Sequence, residues 1–186
     1  MILGNPKESG ADLAVALVNT WDTYDDPHEH LVDLDDLRLF LRIVGRDEAA
    51  RLAVDRDLEE IKQLREQLRR VFDTKDMREA ARVLNELADD ARAVPRLERS
   101  GDVWELRFGP GQQEIAAHIG AACATALLEI VHGHGLTRFG TCAASPCTGA
   151  FVDRTKNRRK RYCCELCADR AAQSHHRARL RGQRKA

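Results

Sequence analysis

The stretch Cys142-Ala-Ala-Ser-Pro-Cys147-Thr-Gly-Ala-Phe151-Val-Asp153-Arg154-Thr-Lys156-Asn157-Arg158-Arg159-Lys160-Arg161-Tyr162-Cys163-Cys164-Glu165-Leu-Cys167 decides how this chain is organised. Ser145-Pro146 turns the chain between the first two thiols. The second cluster sits at the start of a helical segment, Glu165 to about Leu180. Two close thiol pairs around a short basic segment predict one tetrahedral zinc site, because structural zinc takes four N or S ligands and needs no open position. In the second cluster, Cys163 with Cys167 and Cys164 with Cys167 both fit sterically. Val152 and Tyr162 are expected on two short strands joined by a turn near Lys156-Asn157. A knuckle, a hairpin and a helix start giving the last two ligands is treble-clef-like geometry. A segment this short buries little apolar surface, so metal binding would supply much of its folding free energy.

Charge follows the same division. From Arg138 to the end there are 13 Lys or Arg and 3 Asp or Glu, a net of +10, and the rest carries 17 against 27, a net of −10. Such asymmetry points to nucleic-acid contact by the basic part. The candidate contacts are Arg154, Lys156, Arg158, Arg159, Lys160 and Arg161 in the basic segment, then Arg170, Arg177 and Arg181 on one face of the following helix, with Arg179, Arg184 and Lys185 beyond. Phosphate contacts of this kind give salt-dependent affinity, and only base-edge contacts specify sequence. Arg158 to Arg161 are also expected to offset the negative charge of four thiolates and lower their pKa values.

The acidic remainder reads as mostly helical. Asp12 to Val18 is an apolar run. Leu34, Leu37, Leu41 and Val44 recur at helical spacing and end at Gly45. Asp47 is expected to cap one long helix carrying Leu52, Leu58, Ile61, Leu64, Leu68 and Val71. A further helix spans about Asp76 to Ala91, with Met77, Ala80, Ala81, Leu84 and Leu87 on one face. Val94 to Arg99 and Val103 to Phe108, around Ser100-Gly101-Asp102, read as a β-hairpin. Gln112 to Val131 is a long Ala-rich helix expected at the centre of the core, with Cys123 as a small core residue. The fold class is therefore mainly α with a small β-hairpin (α+β): a helical domain over 1–136 and a treble-clef-like zinc finger over 137–186.

Hydrophobic residues at 43% and charged residues at 32% fit a soluble globular chain with one real core. The N-terminus lacks a basic region followed by a long apolar run. No run of roughly 18 apolar residues is seen to span a bilayer. The expectation is a cytoplasmic protein without a membrane partner, where paired thiols are metal ligands rather than disulfides. Asn19, Thr20 and Trp21 interrupt an apolar run with polar and aromatic groups, which suits a small-molecule pocket as well as a capped helix end. His28, His30, His132 and His134 read as solvated loop and linker residues. There is no glycine-rich phosphate loop, no Gly-x-Ser-x-Gly and no carboxylate pair with a role, so an enzyme is not expected.

The arrangement resembles the bacterial CGNR zinc-finger proteins, whose N-terminal part is the ABATE domain. Their finger has a Cys pair, a strand with Phe-x-Asp, a turn with Asn-Arg, and Arg-(Trp/Tyr)-Cys followed by Cys-Gly-Asn-Arg. Phe151-Val-Asp153, Lys156-Asn157-Arg158, Arg161-Tyr162-Cys163 and Cys167-Ala168-Asp169-Arg170 fill those places. Leu17-Val18-Asn19-Thr20 is similar to the family's opening Asn-Thr motif. The resemblance implies Cys142, Cys147, Cys163 and Cys167 as zinc ligands, with Cys164 a spacer. It implies a stress-response transcription regulator acting on double-stranded DNA, whose body senses a small-molecule effector or forms a homodimer. The chain departs from the pattern at Ala168-Asp169. Asp in place of Asn exchanges a group that can donate for one that cannot, and Arg170 or Arg161 would be its ion-pair partner. The alternative function is a zinc-stabilised RNA- or protein-binding adaptor.

Overall fold

The computed structural model describes residues 9–183 except 25 and 112, with the backbone alone described at 100, 175, 176 and 178–183. The first helix, α1 (Gly10–Val18), starts at Ser9, whose Oγ accepts from the Asp12 amide. Its Ala, Leu and Val residues are buried on nearly every side. It packs on α6 (Ile115–His134), the long central helix. The two approach closely because Gly10 has no side chain, and a Cβ there would run into the Ala122 carbonyl. Helix α6 is the one described helix whose length and mean hydropathy would suit a bilayer, so the sequence does hold such a segment. Here it contacts α1, the neighbouring body helices and a hairpin, burying Ile119, Cys123, Ala124 and Leu127. Burial pushes the Cys123 thiol up to about 12, as suits a core residue.

Helix α2 (Leu34–Ile43) is started by Asp33 and Asp36 in a reciprocal capping box. The single long helix expected from Asp47 is in fact two, α3 (Asp47–Leu52) and α4 (Asp55–Asp73). The break has local causes. Ala53 is extended, with ψ 134°. Its carbonyl accepts from Arg38 at 3.0 Å, and the Asp57 carboxylate takes the Val54 amide at 2.8 Å. These side chains satisfy backbone groups that a continuous helix would have paired. Helix α5 (Met77–Asp90) buries Ala80, Val83, Leu84 and Leu87, while Met77, expected on that face, is exposed at the first turn.

Strands β1 (Pro95–Ser100) and β2 (Val103–Phe108) form the expected antiparallel hairpin. After α6 a short 3-10 turn, Gly135–Arg138, leads into β3 (Phe139–Thr141). It pairs antiparallel with β4 (Ala150–Val152). The strand partner of Val152 is thus Phe139, and Tyr162 lies outside any strand. The reason is Asp153, which folds the following loop onto itself. Its Oδ1 accepts from the Thr155 amide and hydroxyl at 2.8 and 2.6 Å, and its Oδ2 from the Lys160 amide at 2.9 Å. The last helix is α7 (Glu165–Gln183).

Two cores result. The large one joins the body helices and also takes in Phe139, Ala150 and Val152, with Phe72 and Phe139 edge to face at 5.3 Å. The small one gathers Ala144, Cys147 and Cys167 with Cys142, Tyr162, Cys163, Cys164 and Ala171. The pair β3–β4 therefore packs on the body, and the thiols and α7 form a second layer beyond it.

Candidate metal centre and basic surface

The knuckle after β3 is closed by backbone. Cys142 donates to the Gly149 carbonyl and Cys147 to the Ala144 carbonyl, both at 2.8 Å, and the Gly149 amide points at the Cys147 Sγ at 3.3 Å. Gly149 is needed where it stands. A Cβ there would sit 3.0 Å from the Cys163 Sγ and 3.3 Å from the Cys147 Sγ, in the space the sulfurs use. The Sγ atoms of Cys142, Cys147, Cys163 and Cys167 all lie within 4.8 Å of one another. Cys163 is 3.7 Å from both Cys147 and Cys167. Zinc–sulfur bonds of about 2.3 Å in a tetrahedron place sulfurs roughly 3.8 Å apart, so the donor set and its spacing fit Zn2+. Cys164, although its Sγ is 3.9 Å from that of Cys163, is outside the group of four.

The thiols are arranged for a cation. Burial and the neighbouring sulfurs push the Cys163 thiol far up. Burial and the same crowding bring Cys167 to about 12. Cys142 is the exception. Burial would raise it, but the amides of Cys163 and Ala144 outweigh burial and hold it below its ordinary value. Backbone dipoles are thus the main influence that holds the Cys142 thiol down. A divalent ion at the centre removes the repulsion that four adjacent thiolates would otherwise feel.

The basic candidates separate into two groups. Lys156, Arg158, Arg159, Lys160 and Arg161 are exposed on the loop that Asp153 organises. Burial would raise the Asp153 carboxyl, but its bonds to Thr155 and the Lys160 amide, with the Arg138 charge, hold it low and ionised. Arg138 donates to the carbonyls of Asp153 and Thr155 at 3.1 and 2.8 Å, closing the loop base. Lys160 lies over the Phe151 ring at 5.2 Å and Arg161 over Tyr162 at 5.7 Å. Arg154 and Arg170 instead turn to the body. Arg154 reaches the Asp12 carboxylate and the Ser9 hydroxyl, each at 2.9 Å. Arg170 lies 3.6 Å above the Tyr24 ring. Arg177 is exposed and, with Arg170 and Tyr24, lines a cleft of about 560 Å³ beside the knuckle. The side chains of Arg179 and Arg181, and all of Arg184 and Lys185, lie outside the described residues. Asp169 is exposed and forms no ion pair among the described residues; Arg170 and Arg161, its expected partners, lie on aromatic rings.

Asn19, Thr20 and Trp21 have three different placements. Asn19 imitates a strand. Its side-chain amide donates to the Ala150 carbonyl at 3.0 Å and its Oδ1 accepts from the Ala150 amide at 2.7 Å. Thr20 is buried, donating to the Leu17 carbonyl and accepting from Arg65 at 3.1 Å. Trp21 is half-exposed beside a cleft of about 610 Å³ that Val18, Arg65, Arg69, Cys142 and Cys147 also line. Other residues at this junction were not singled out from sequence. Thr23 donates to the Pro146 carbonyl at 2.6 Å, and Arg69 to the Thr148 carbonyl at 2.9 Å. Arg65, 95% buried at its side chain, makes a two-pronged bond to Glu29 at 2.6 and 2.7 Å. No periodicity marks these contacts. The opening Asn-Thr motif was the only available signal. His132 and His134 are exposed at the end of α6 and are not part of the group of four sulfurs.

Comparison with known proteins agrees with this geometry. The family model described as "Putative stress-induced transcription regulator", ABATE, matches residues 11–134. The model of the CGNR zinc finger matches 138–180. No curated protein sequence matches the chain. Neither matched family is an enzyme family, and together they suggest a zinc-binding regulatory protein. With two thirds of its length matched by the first model and its thiol cluster inside the second, the chain belongs to the ABATE family and ends in a CGNR zinc finger.

Proposed function

We propose that this protein is a transcription regulator that binds double-stranded DNA through its finger. The observation that carries the reading is the exposed loop from Lys156 to Arg161. Five cations stand there on a backbone pinned by Asp153, directly beside the thiol cluster. Cys142, Cys147, Cys163 and Cys167 are the ligands, and Cys164 is a spacer. Bound zinc supplies a rigid crosslink between the knuckle and the start of α7, and it neutralises part of the thiolate charge. Lys156, Arg158, Arg159, Lys160 and Arg161 then meet phosphates, and α7 with Arg177 and Arg181 follows along the duplex. Arg154 and Arg170 contribute by holding the finger on the body. We divide the chain into a regulatory domain, 1–136, and the finger, 137–186.

The body is the sensing or dimerising part. Its cleft beside Trp21 has the size of a small-ligand site, between about 300 and 1,000 Å³. Because Cys142 and Cys147 share that wall, an effector seated there would touch both parts. The proposed working compartment is the cytoplasm.

The test is a salt series of gel shifts with zinc-loaded protein on mixed-sequence duplex DNA and on RNA of matched length. Duplex binding whose log affinity falls steeply with log salt, and which is lost on chelation, supports the reading. Absence of duplex binding at low salt, or a preference for RNA, overturns it.

A further inference from the structure

The β1–β2 hairpin stands apart from the rest of the body in what it exposes. Its register pairs Pro95 with Phe108, Leu97 with Leu106 and Arg99 with Trp104. Side chains alternate across a strand, so these six share one face, and Arg96, Glu98, Glu105 and Arg107 share the other. On the first face Leu97 is 68%, Trp104 66% and Leu106 60% exposed. Among the described residues no strand lies beyond either edge.

The backbone of β2 is open at its outer edge, in the plane of the sheet. Pro95 has no amide hydrogen, so the Pro95–Phe108 pair cannot exchange two hydrogen bonds. Bonded and non-bonded pairs alternate along an antiparallel ladder. The amide and carbonyl groups of Trp104, Leu106 and Phe108 therefore point away from β1. The Gly109 amide, bonded to the Val94 carbonyl, follows that alternation. Natural edge strands are normally blunted by proline, a bulge or charges. The β1 edge has Pro95, whereas the outward residues of β2 are all apolar.

We propose that the outer edge of β2 pairs antiparallel with the same edge of a second copy, about a two-fold axis through Leu106, giving a four-stranded sheet. Charge complementarity selects a second copy as the occupant. Centred on Leu106, the strand sets Glu105 of each copy opposite Arg107 of the other, and Trp104 opposite Phe108. Centring it one residue either way would set Glu105 against Glu105 or Arg107 against Arg107, which is unfavourable directly across strands. Within one copy Arg107 already bonds Glu105 at 2.7 Å, so both side chains lie on the face where the cross-strand pair forms. The contact is isologous and closes at two chains. It would also present two fingers in two-fold relation, although it stands independently of what the fingers bind.

Sedimentation velocity of the zinc-loaded full chain over a concentration series tests this. The expected species has twice the monomer mass of 20.9 kDa. Leu106→Lys, which sets two cations together on the axis, is expected to weaken self-association at least tenfold while leaving the helical circular dichroism unchanged. Glu105→Arg and Arg107→Glu are each expected to be monomeric alone and to form a mixed dimer when combined, since each then carries the charge its partner lacks. A wild-type chain monomeric at every concentration overturns the proposal. So does a dimer that survives Leu106→Lys, or two folded charge variants that fail to associate on mixing. Zinc content and duplex binding of the monomeric variants are read separately, so the outcome for this interface leaves the DNA reading to its own test.

Discussion

The two sides of the finger are held by different physics. Toward the body, β3–β4 joins the apolar core and is tied by directional bonds to its backbone: Asn19 to Ala150, Thr23 to Pro146 and Arg69 to Thr148. Toward solvent, the loop from Lys156 to Arg161 is exposed and is held chiefly by Asp153 and Arg138 at its base and by the thiol cluster beside it. A module this small cannot stabilise both sides by burial. The inner side draws on the body's core and the outer side on metal. The difference also separates the basic residues: Arg154 and Arg170 serve the junction, while Lys156 and Arg158 to Arg161 are exposed to solvent.

The largest effect should fall on the outer side alone. Cys147→Ser is expected to abolish stoichiometric zinc by elemental analysis and to make residues after Asp153 susceptible to limited proteolysis. The body helices and the Phe72–Phe139 contact should survive, since they rest on the other core. Cys164→Ser should leave zinc content unchanged. Full zinc occupancy in Cys147→Ser would end the four-thiolate assignment.

Glu29→Ala should come next, acting on the inner side. Removing the Glu29 carboxylate leaves the buried Arg65 charge with only Glu66 at 3.4 Å and the Thr20 hydroxyl, at a cost below the roughly 3–5 kcal/mol of breaking a fully buried pair, measurable by denaturant unfolding. Burial would raise the Glu29 carboxyl, but the bond from Arg65 and the Leu31 amide outweigh that and hold it below its usual value. The pair's contribution is therefore complete above the unfolded glutamate value of about 4.3 and is lost as pH falls through the lower folded value. The wild type should lose stability over that acid range, and Glu29→Ala should lose less.

A smaller effect is expected for Asn19→Ala, which leaves the Ala150 amide and carbonyl without partners at about 1–3 kcal/mol. Hydrogen exchange at β4 should quicken more than exchange in α6. If zinc affinity falls while β4 exchange stays unchanged, Asn19 acts on the metal site and the two-sided description fails. The smallest effect is electrostatic. Arg159→Ala should reduce the slope of log affinity against log salt by about 0.9. Arg154→Ala, already engaged with Asp12, should change it less.

Much of this was legible in the chain itself. An apolar run marked α1, apolar spacing marked α2 and α5, and Ser100-Gly101-Asp102 marked the β1–β2 turn, because local periodicity and turn chemistry are properties of neighbouring residues. The cysteine spacing with the Phe-x-Asp and Asn-Arg motif pointed to the thiol set that clusters. The break between α3 and α4 was hidden, since it depends on Arg38 reaching Ala53 from another helix. Met77 misled because periodicity marks a helix face but not how far packing reaches along it: Ala80 in the same turn is buried, and Met77 is exposed.

By itself, then, the sequence determined the helical body, the first hairpin, the candidate metal ligands and a cationic C-terminal part. Only the tertiary structure decided that β4 pairs with β3, that Asn19 serves as a strand-like clamp, and that Arg154 and Arg170 face inward. The reason is distance along the chain. Asn19 and Ala150 are 131 residues apart, and no local pattern encodes such a pair; it follows from where α1 ends once α6 and α4 have packed around it.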